Sequence, residues 1–171
     1  MSETALEFAR SVSLARLGSE PFRQRIEAEE AERVALARRF DLVSLARLVA
    51  DIELVHEPGG TILLSAVFEA EFEQECIVTL DPVAGILSEC FQLRYGPLEA
   101  EIAALAGDDD PAFEPLYGDS IDIGEAVAQE FSLALPPFPR APDAVVEAAP
   151  LDATEDGPFA VLAQFPRSGS Q

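Results

Sequence analysis

The 171 residues carry 32 acids against 11 arginines and no lysine, a formal net charge of −21, with 49% hydrophobic residues. That length and apolar share allow one ordinary domain with a real core and exclude a chain too polar to fold, and no apolar run approaches the ~18 residues a bilayer span requires. The charge is uneven: eight of the arginines lie in residues 1–47, where eight acids balance them, so the whole excess falls after residue 47 and repels phosphate everywhere except in the opening segment.

From Leu6 to Leu14 apolar and polar residues alternate, which predicts a strand interrupted by Arg10. The following IEAEEAERVALARRFDL has acids at its beginning and arginines at its end, as the helix dipole prefers, and predicts a helix from about Ala28 to Phe40. Leu48, Ala50, Ile52 and Leu54 alternate with Arg47, Asp51 and Glu53, a strand with one wet face, and HEPGG makes the next turn.

Ile62, Leu64, Ala66, Phe68, Ala70, Phe72, Cys76, Val78 and Leu80 then share one parity while Glu69, Glu71, Glu73 and Glu75 share the other, the pattern of an antiparallel sheet with one face in water. The run is too long for one flat strand, so a bulge or bend is expected near Glu73 to Glu75, with PVAG as the turn. Matching apolar residues pairs Leu80 with Leu87, Cys76 with Phe91 and Phe72 with Tyr95, which sends Cys90 to the face opposite Cys76 and disfavours a disulfide.

Residues 96–119 read as loop. Asp122, with Glu125 three residues on, resembles a capping box that opens a second amphipathic helix through Ile123, Val127, Phe131 and Leu135, stopped by Pro136 and Pro137. Residues 136–158, rich in proline and acid, predict an extended or disordered tail leading to the apolar island GPFAVLAQF, where Phe159, Leu162 and Phe165 share one face of a short docking segment. The fold class is α+β: an antiparallel sheet of about four to five strands with two main helices and a partly disordered acidic C-terminal tail. The expected organisation is a domain over 1–140, an acidic linker over 141–156 and a docking segment over 157–171.

Chemistry is sparsely written. Two cysteines and the single histidine, His56, are too few for a structural zinc site, and Asp108 to Asp110 lack calcium-loop spacing, so no metal is expected. A lone histidine in a turn, without a G-x-S-x-G or a Walker glycine pattern, leaves neither nucleophile activation nor a phosphate cradle, so no enzyme, cofactor or small-molecule substrate is expected. The Glu69 to Glu75 row reads as a solvated strand face rather than a catalytic pair. Arg33, Arg38, Arg39 and Arg47 are the candidate RNA- or partner-binding residues, set, for the first three, against the plainer account that they complement neighbouring acids and a helix C-terminus. An N-terminus without the basic-then-apolar order of an export signal, and a cysteine-poor chain, point to the cytoplasm.

The ordered set LEFARSV, AEEAERVALARRFDL, ECIVTLDPV, IDIGEAVAQEFSLALPPFPR and GPFAVLA resembles the YceD family, described as large ribosomal RNA subunit accumulation proteins. The resemblance implies a bacterial cytoplasmic protein required for normal levels of large-subunit ribosomal RNA. Some relatives carry C-x-x-C where this chain has CIVT, so that Cys76 matches the first cysteine and Thr79 stands at the second; any metal role does not carry over. An RNA-linked protein of this charge cannot grip a duplex broadly. Two readings follow: the acidic sheet face and tail hold a basic ribosomal or assembly protein, or the arginine-bearing N-terminal segment contacts large-subunit ribosomal RNA directly.

Overall fold

The computed structural model describes residues 6–97 and 111–146. Its elements in chain order are β1 (Ser11–Ser13), β2 (Phe22–Glu27), α1 (Glu30–Arg39), β3 (Ser44–His56), β4 (Ile62–Glu75), β5 (Pro82–Gly96), β6 (Ala112–Pro115), β7 (Ser120–Asp122) and α2 (Ile123–Ala134). A five-stranded sheet runs β2-β3-β4-β5-β6, antiparallel except for the parallel β5–β6 pair, and β1 pairs with β7 in a separate ribbon. The α+β class expected from the sequence is the architecture observed.

Alternation dictates which face of the sheet is dry. Ile62, Leu64, Ala66, Phe68, Ala70 and Phe72 of β4 are buried, and their partners Tyr95, Leu93, Phe91 and Leu87 on β5 carry the same face outward across the sheet. In β3 the pairing register shifts between Leu45 and Arg47, a bulge that lets Leu45 and Leu48 both turn inward despite their opposite parity. Helix α2 closes this face: Phe131, fully buried, meets the rings of Phe40, Phe68 and Phe72 edge-on at 5.9, 6.4 and 5.7 Å between centroids.

The caps explain where the helices start and stop. Asp122 accepts hydrogen bonds at Oδ1 from the backbone N–H groups of Gly124 and Glu125, so it is the N-cap the sequence promised. Glu125 does not reach back to complete the capping box, because its carboxylate is taken by Arg39. Helix α1 opens with the Glu29 N–H donating to Glu32 and ends with the Leu42 N–H on the Ala37 carbonyl, a closure that needs Asp41 at φ 55°.

The structure corrects the hairpin. The turn is Cys76 to Asp81, not PVAG: β4 ends at Glu75, the Leu80 N–H donates to the Cys76 carbonyl, and Leu80 adopts φ 63°. The observed register pairs Phe72 with Gly85, Ala66 with Phe91 and Ile62 with Tyr95, displaced from the expected one by an even number of residues. Faces are therefore preserved while partners change. Both cysteines are free, Cys76 buried and Cys90 exposed.

Three strands fall where none was expected: β2, and the short β6 and β7 within the stretch read as loop. The start of the proline-rich stretch, expected to be extended or disordered, is bent and fastened. The Pro136 carbonyl accepts from Gln74 Nε2, the Pro139 carbonyl accepts from the Ile77 N–H, and the Ala141 N–H donates to Cys76 Sγ. Phe159, Leu162 and Phe165, and the expected docking segment 157–171, lie outside the described residues.

Candidate partner-binding surface

The face of the sheet turned away from α2 is built by the odd-numbered residues of β2, of β3 beyond its bulge and of β4, together with the even-numbered residues of β5. Its rows across the strands read Arg23, Glu53, Ser65, Gln92, then Arg25, Asp51, Val67, Cys90, then Glu27, Val49, Glu69, Ser88. No described helix packs on this side, and Glu69, Glu71 and Ile86 stand exposed.

Charge divides the face in two. Near β2, Arg23 pairs with Glu53 and Arg25 with Asp51, leaving a neutral, shallow groove of about 850 Å³ that also meets Ser65, Val67, Cys90 and Gln92. Towards the β4–β5 turn the balance is lost. Arg47 bridges to Glu69 at 2.7 Å, and Glu73 accepts from the Ser44 hydroxyl at 2.8 Å. Glu27, Glu71 and Glu75 have no ion pair among the described residues. The Arg47 guanidinium is held even more firmly protonated than usual, first by its hydrogen bond to Glu69 and then by the field of Glu69, Glu71 and Glu27. Among the described residues, Arg47 is the one cation ion-paired with this cluster of five carboxylates.

The four candidate arginines do not form one patch. Arg39 bonds Glu7 and Glu125 and ties α1 to α2. Arg47 lies on the outer sheet face with Glu69. Only Arg33 and Arg38 come together, lining a groove of about 470 Å³ between α1 and the start of β3 with Glu30, Val34 and Val43. There Arg33 donates to the Ala28 carbonyl, and Arg38 has no ion pair among the described residues.

The expected site residues do not include Arg23 and Arg25, which β2 brings to this surface: FRQRIE alternates only weakly, with Gln24 on its inner side, and pairing with β3 is what makes it a strand. The glutamate row of β4 lies where its parity places it, with Glu69, Glu71 and Glu75 exposed and Glu73 half-buried.

Cys76 sits in the turn with its sulfur turned inward. Sγ accepts from the N–H groups of Val78, Thr79 and Ala141 at 3.5, 3.4 and 3.3 Å. The thiol is drawn down to about 7, chiefly by a hydrogen bond from the Thr79 side chain and then by the Ala141 amide, against the opposing effect of burial. No group of three or more histidine, cysteine, aspartate or glutamate side chains is placed to hold a metal among the described residues. No helix among them is long and apolar enough to cross a membrane.

No curated protein and no solved structure matches the chain. A family model does: YceD, large ribosomal RNA subunit accumulation protein, matches residues 64–165, more than half of the length. The match begins within β4 and takes in the β4–β5 hairpin, the cysteine turn and α2, and so includes Glu69, Glu71, Glu73 and Glu75 of the outer face. The chain therefore belongs to the YceD family of large ribosomal RNA subunit accumulation proteins.

Proposed function

We propose that this protein is a non-enzymatic, cytoplasmic ribosome-biogenesis factor that supports accumulation of large-subunit ribosomal RNA by holding a basic ribosomal or assembly protein on its acidic sheet face. The observation that carries the reading is the carboxylate excess around Arg47: Glu27, Glu69, Glu71, Glu73 and Glu75 share one sheet face on which no described helix packs, and among the described residues only Arg47 forms an ion pair with any of them. A phosphate brought there would meet like charge, whereas a lysine- or arginine-rich protein would meet its complement and be steered to it. Phe159, Leu162 and Phe165 would supply a second, apolar contact to the same partner.

The test is binding of individually purified basic large-subunit proteins to the wild type and to a variant with Glu27, Glu69, Glu71 and Glu75 changed to glutamine. The expected result is salt-sensitive binding by the wild type and its loss in the variant. Equal binding by both overturns the reading.

A second reading rests on Arg33 and Arg38, which line one groove with Glu30 and form no ion pair among the described residues: direct contact of that corner with ribosomal RNA. It predicts crosslinks from large-subunit RNA to α1, and their loss in Arg33→Glu/Arg38→Glu.

A further inference from the structure

Strand β5 runs from Pro82 to Gly96, yet β6 pairs only with its last four residues, Leu93 to Gly96. On the side away from β4, Pro82 to Gln92 meet no strand among the described residues, and no backbone group of that stretch bonds to any described residue outside the β4 ladder. Such an edge presents a row of unpaired N–H and C=O groups, one residue in two, which proteins ordinarily blunt with bulges, prolines, lysines or brevity. Of those devices only Pro82 is present, and the one charged side chain of the stretch is Glu89, on the inner parity between Leu87 and Phe91, which a basic segment would also meet. The register with β4 runs unbroken from Ile62–Tyr95 to Glu75–Pro82, and no cation stands on Pro82 to Gln92.

The two sides of this edge differ in chemistry. On the outer face β5 offers Ala84, Ile86 at 80% exposure, Ser88 and Cys90, all short or apolar, with Glu71 and Glu69 on β4 directly behind Ile86 and Ser88. On the inner face Leu87 and Phe91 are only half covered. Strands lie ~4.8 Å apart, so a strand added beyond β5 would stand ~10 Å from β4. An arginine or lysine on one side and a glutamate on the other span that distance over the low surface of Ser88.

We infer that the open edge of β5 from Pro82 to Gln92 receives an extended, basic segment of the partner as an added strand, with alternate arginines or lysines reaching Glu69 and Glu71 and the apolar residues between them covering Leu87 and Phe91. This rests on the acidic-face reading above and gives that face a docking geometry, in which main-chain bonds supply affinity and alternation supplies specificity.

The test uses the full chain and three synthetic peptides of alternating arginine and valine. One is unmodified, one is N-methylated at every valine nitrogen, and one is N-methylated at every arginine nitrogen. In a strand the N–H groups of alternate residues point to opposite edges, so only one methylated set faces β5. The expected result is that one methylated peptide binds about tenfold or more weakly while the other stays within about twofold of the unmodified peptide. Hydrogen exchange should show amides of Ala84 to Gln92 that exchange fast in the free chain and slow on binding.

Equal binding of all three peptides without protection of β5 overturns the edge and leaves the acidic reading standing. Slow exchange of these amides in the free chain also overturns it, because the edge is then already filled by the chain itself or by a second copy. Failure of every peptide and of every basic large-subunit protein to bind removes the acidic reading, and the edge with it.

Discussion

Arg39, in the last turn of α1, grips Glu125, in the first turn of α2, through both terminal guanidinium nitrogens at 2.9 and 2.7 Å, and the same Nη1 reaches Glu7 at 3.0 Å. The arginine serves the C-terminal end of one helix dipole and the glutamate the N-terminal end of another, so both charges sit where the backbone favours them. The Glu125 carboxyl is held below its ordinary value of 4.5, chiefly by the Arg39 hydrogen bonds. Its contribution to stability is present above the unfolded value and is lost as pH falls through the folded one. Arg39→Met should cost about 1–2 kcal/mol in urea melts at about pH 7, and the gap from wild type should narrow as the pH is taken below the ordinary carboxylate range. A gap that persists in acid would mean that the stem, not the ion pair, was stabilising.

The same contact limits how the arginines can be tested as a binding surface. A charge reversal at Arg39 would loosen the helices, and any loss of a partner would follow from that. Arg33→Glu/Arg38→Glu leaves those contacts alone and should keep the wild-type melting temperature within about 2 °C. A large drop instead would show that the Arg33 bond to the Ala28 carbonyl holds α1 in place.

Gly124 supplies a reversal of sign. In the interior of a helix, glycine to alanine ordinarily stabilises by about 1 kcal/mol. Here a Cβ would stand 2.1 Å from the Phe8 carbonyl oxygen and 3.0 Å from the Arg10 nitrogen, both backbone atoms, where the chain leading into β1 crosses the start of α2. That crossing is itself fixed by the Ile123 N–H donating to the Arg10 carbonyl and the Arg10 N–H donating to Asp122. Gly124→Ala should therefore destabilise by about 2 kcal/mol or more, read from chemical denaturation. A more stable variant would refute the close approach.

The faces of the sheet were legible because a period of two survives any even slip in register, and the slip here was even: Phe72 faces Gly85 rather than Tyr95, yet both choices bury the same side of β5. The turn was not legible. PVAG has the residues of a turn, but Pro82 opens a strand and Gly85 lies under the Phe72 ring, where a Cβ would meet it at 2.5 Å. The true turn carries no glycine and depends on a leucine with positive φ. Strand β2 was hidden because its outward residues are Arg23, Arg25 and Glu27, and its identity comes from pairing with β3. The surface itself was half legible: the glutamate row declared its exposure, while the cancellation of Arg23 and Arg25 by Glu53 and Asp51 needed the cross-strand neighbours.

Leu80 itself offers a stabilising change. A residue with a Cβ pays about 1–2 kcal/mol to sit in the left-handed region, and Leu80 is 66% exposed, so little packing offsets that strain. Leu80→Gly should raise stability by about 0.5–1 kcal/mol once the greater freedom of glycine in the unfolded chain is subtracted. A loss of stability would mean that the leucine side chain packs on the hairpin in solution.

Thr79 stands three residues after Cys76, and its side chain hydrogen bond is the largest influence drawing the Cys76 thiol down to about 7, ahead of the amides of Ala141 and Thr79 itself. These bonds favour the thiolate more than burial disfavours it. In a Cys90→Ser background, thiolate absorbance should titrate near that value, and Thr79→Val should move the midpoint up towards the ordinary cysteine value of about 8.5. A valine variant that titrates like its parent would leave the threonine hydroxyl without that role. With Cys90 present, iodoacetamide should modify it alone under native conditions, because the Cys76 side chain is fully enclosed, and Cys76 should react only on unfolding.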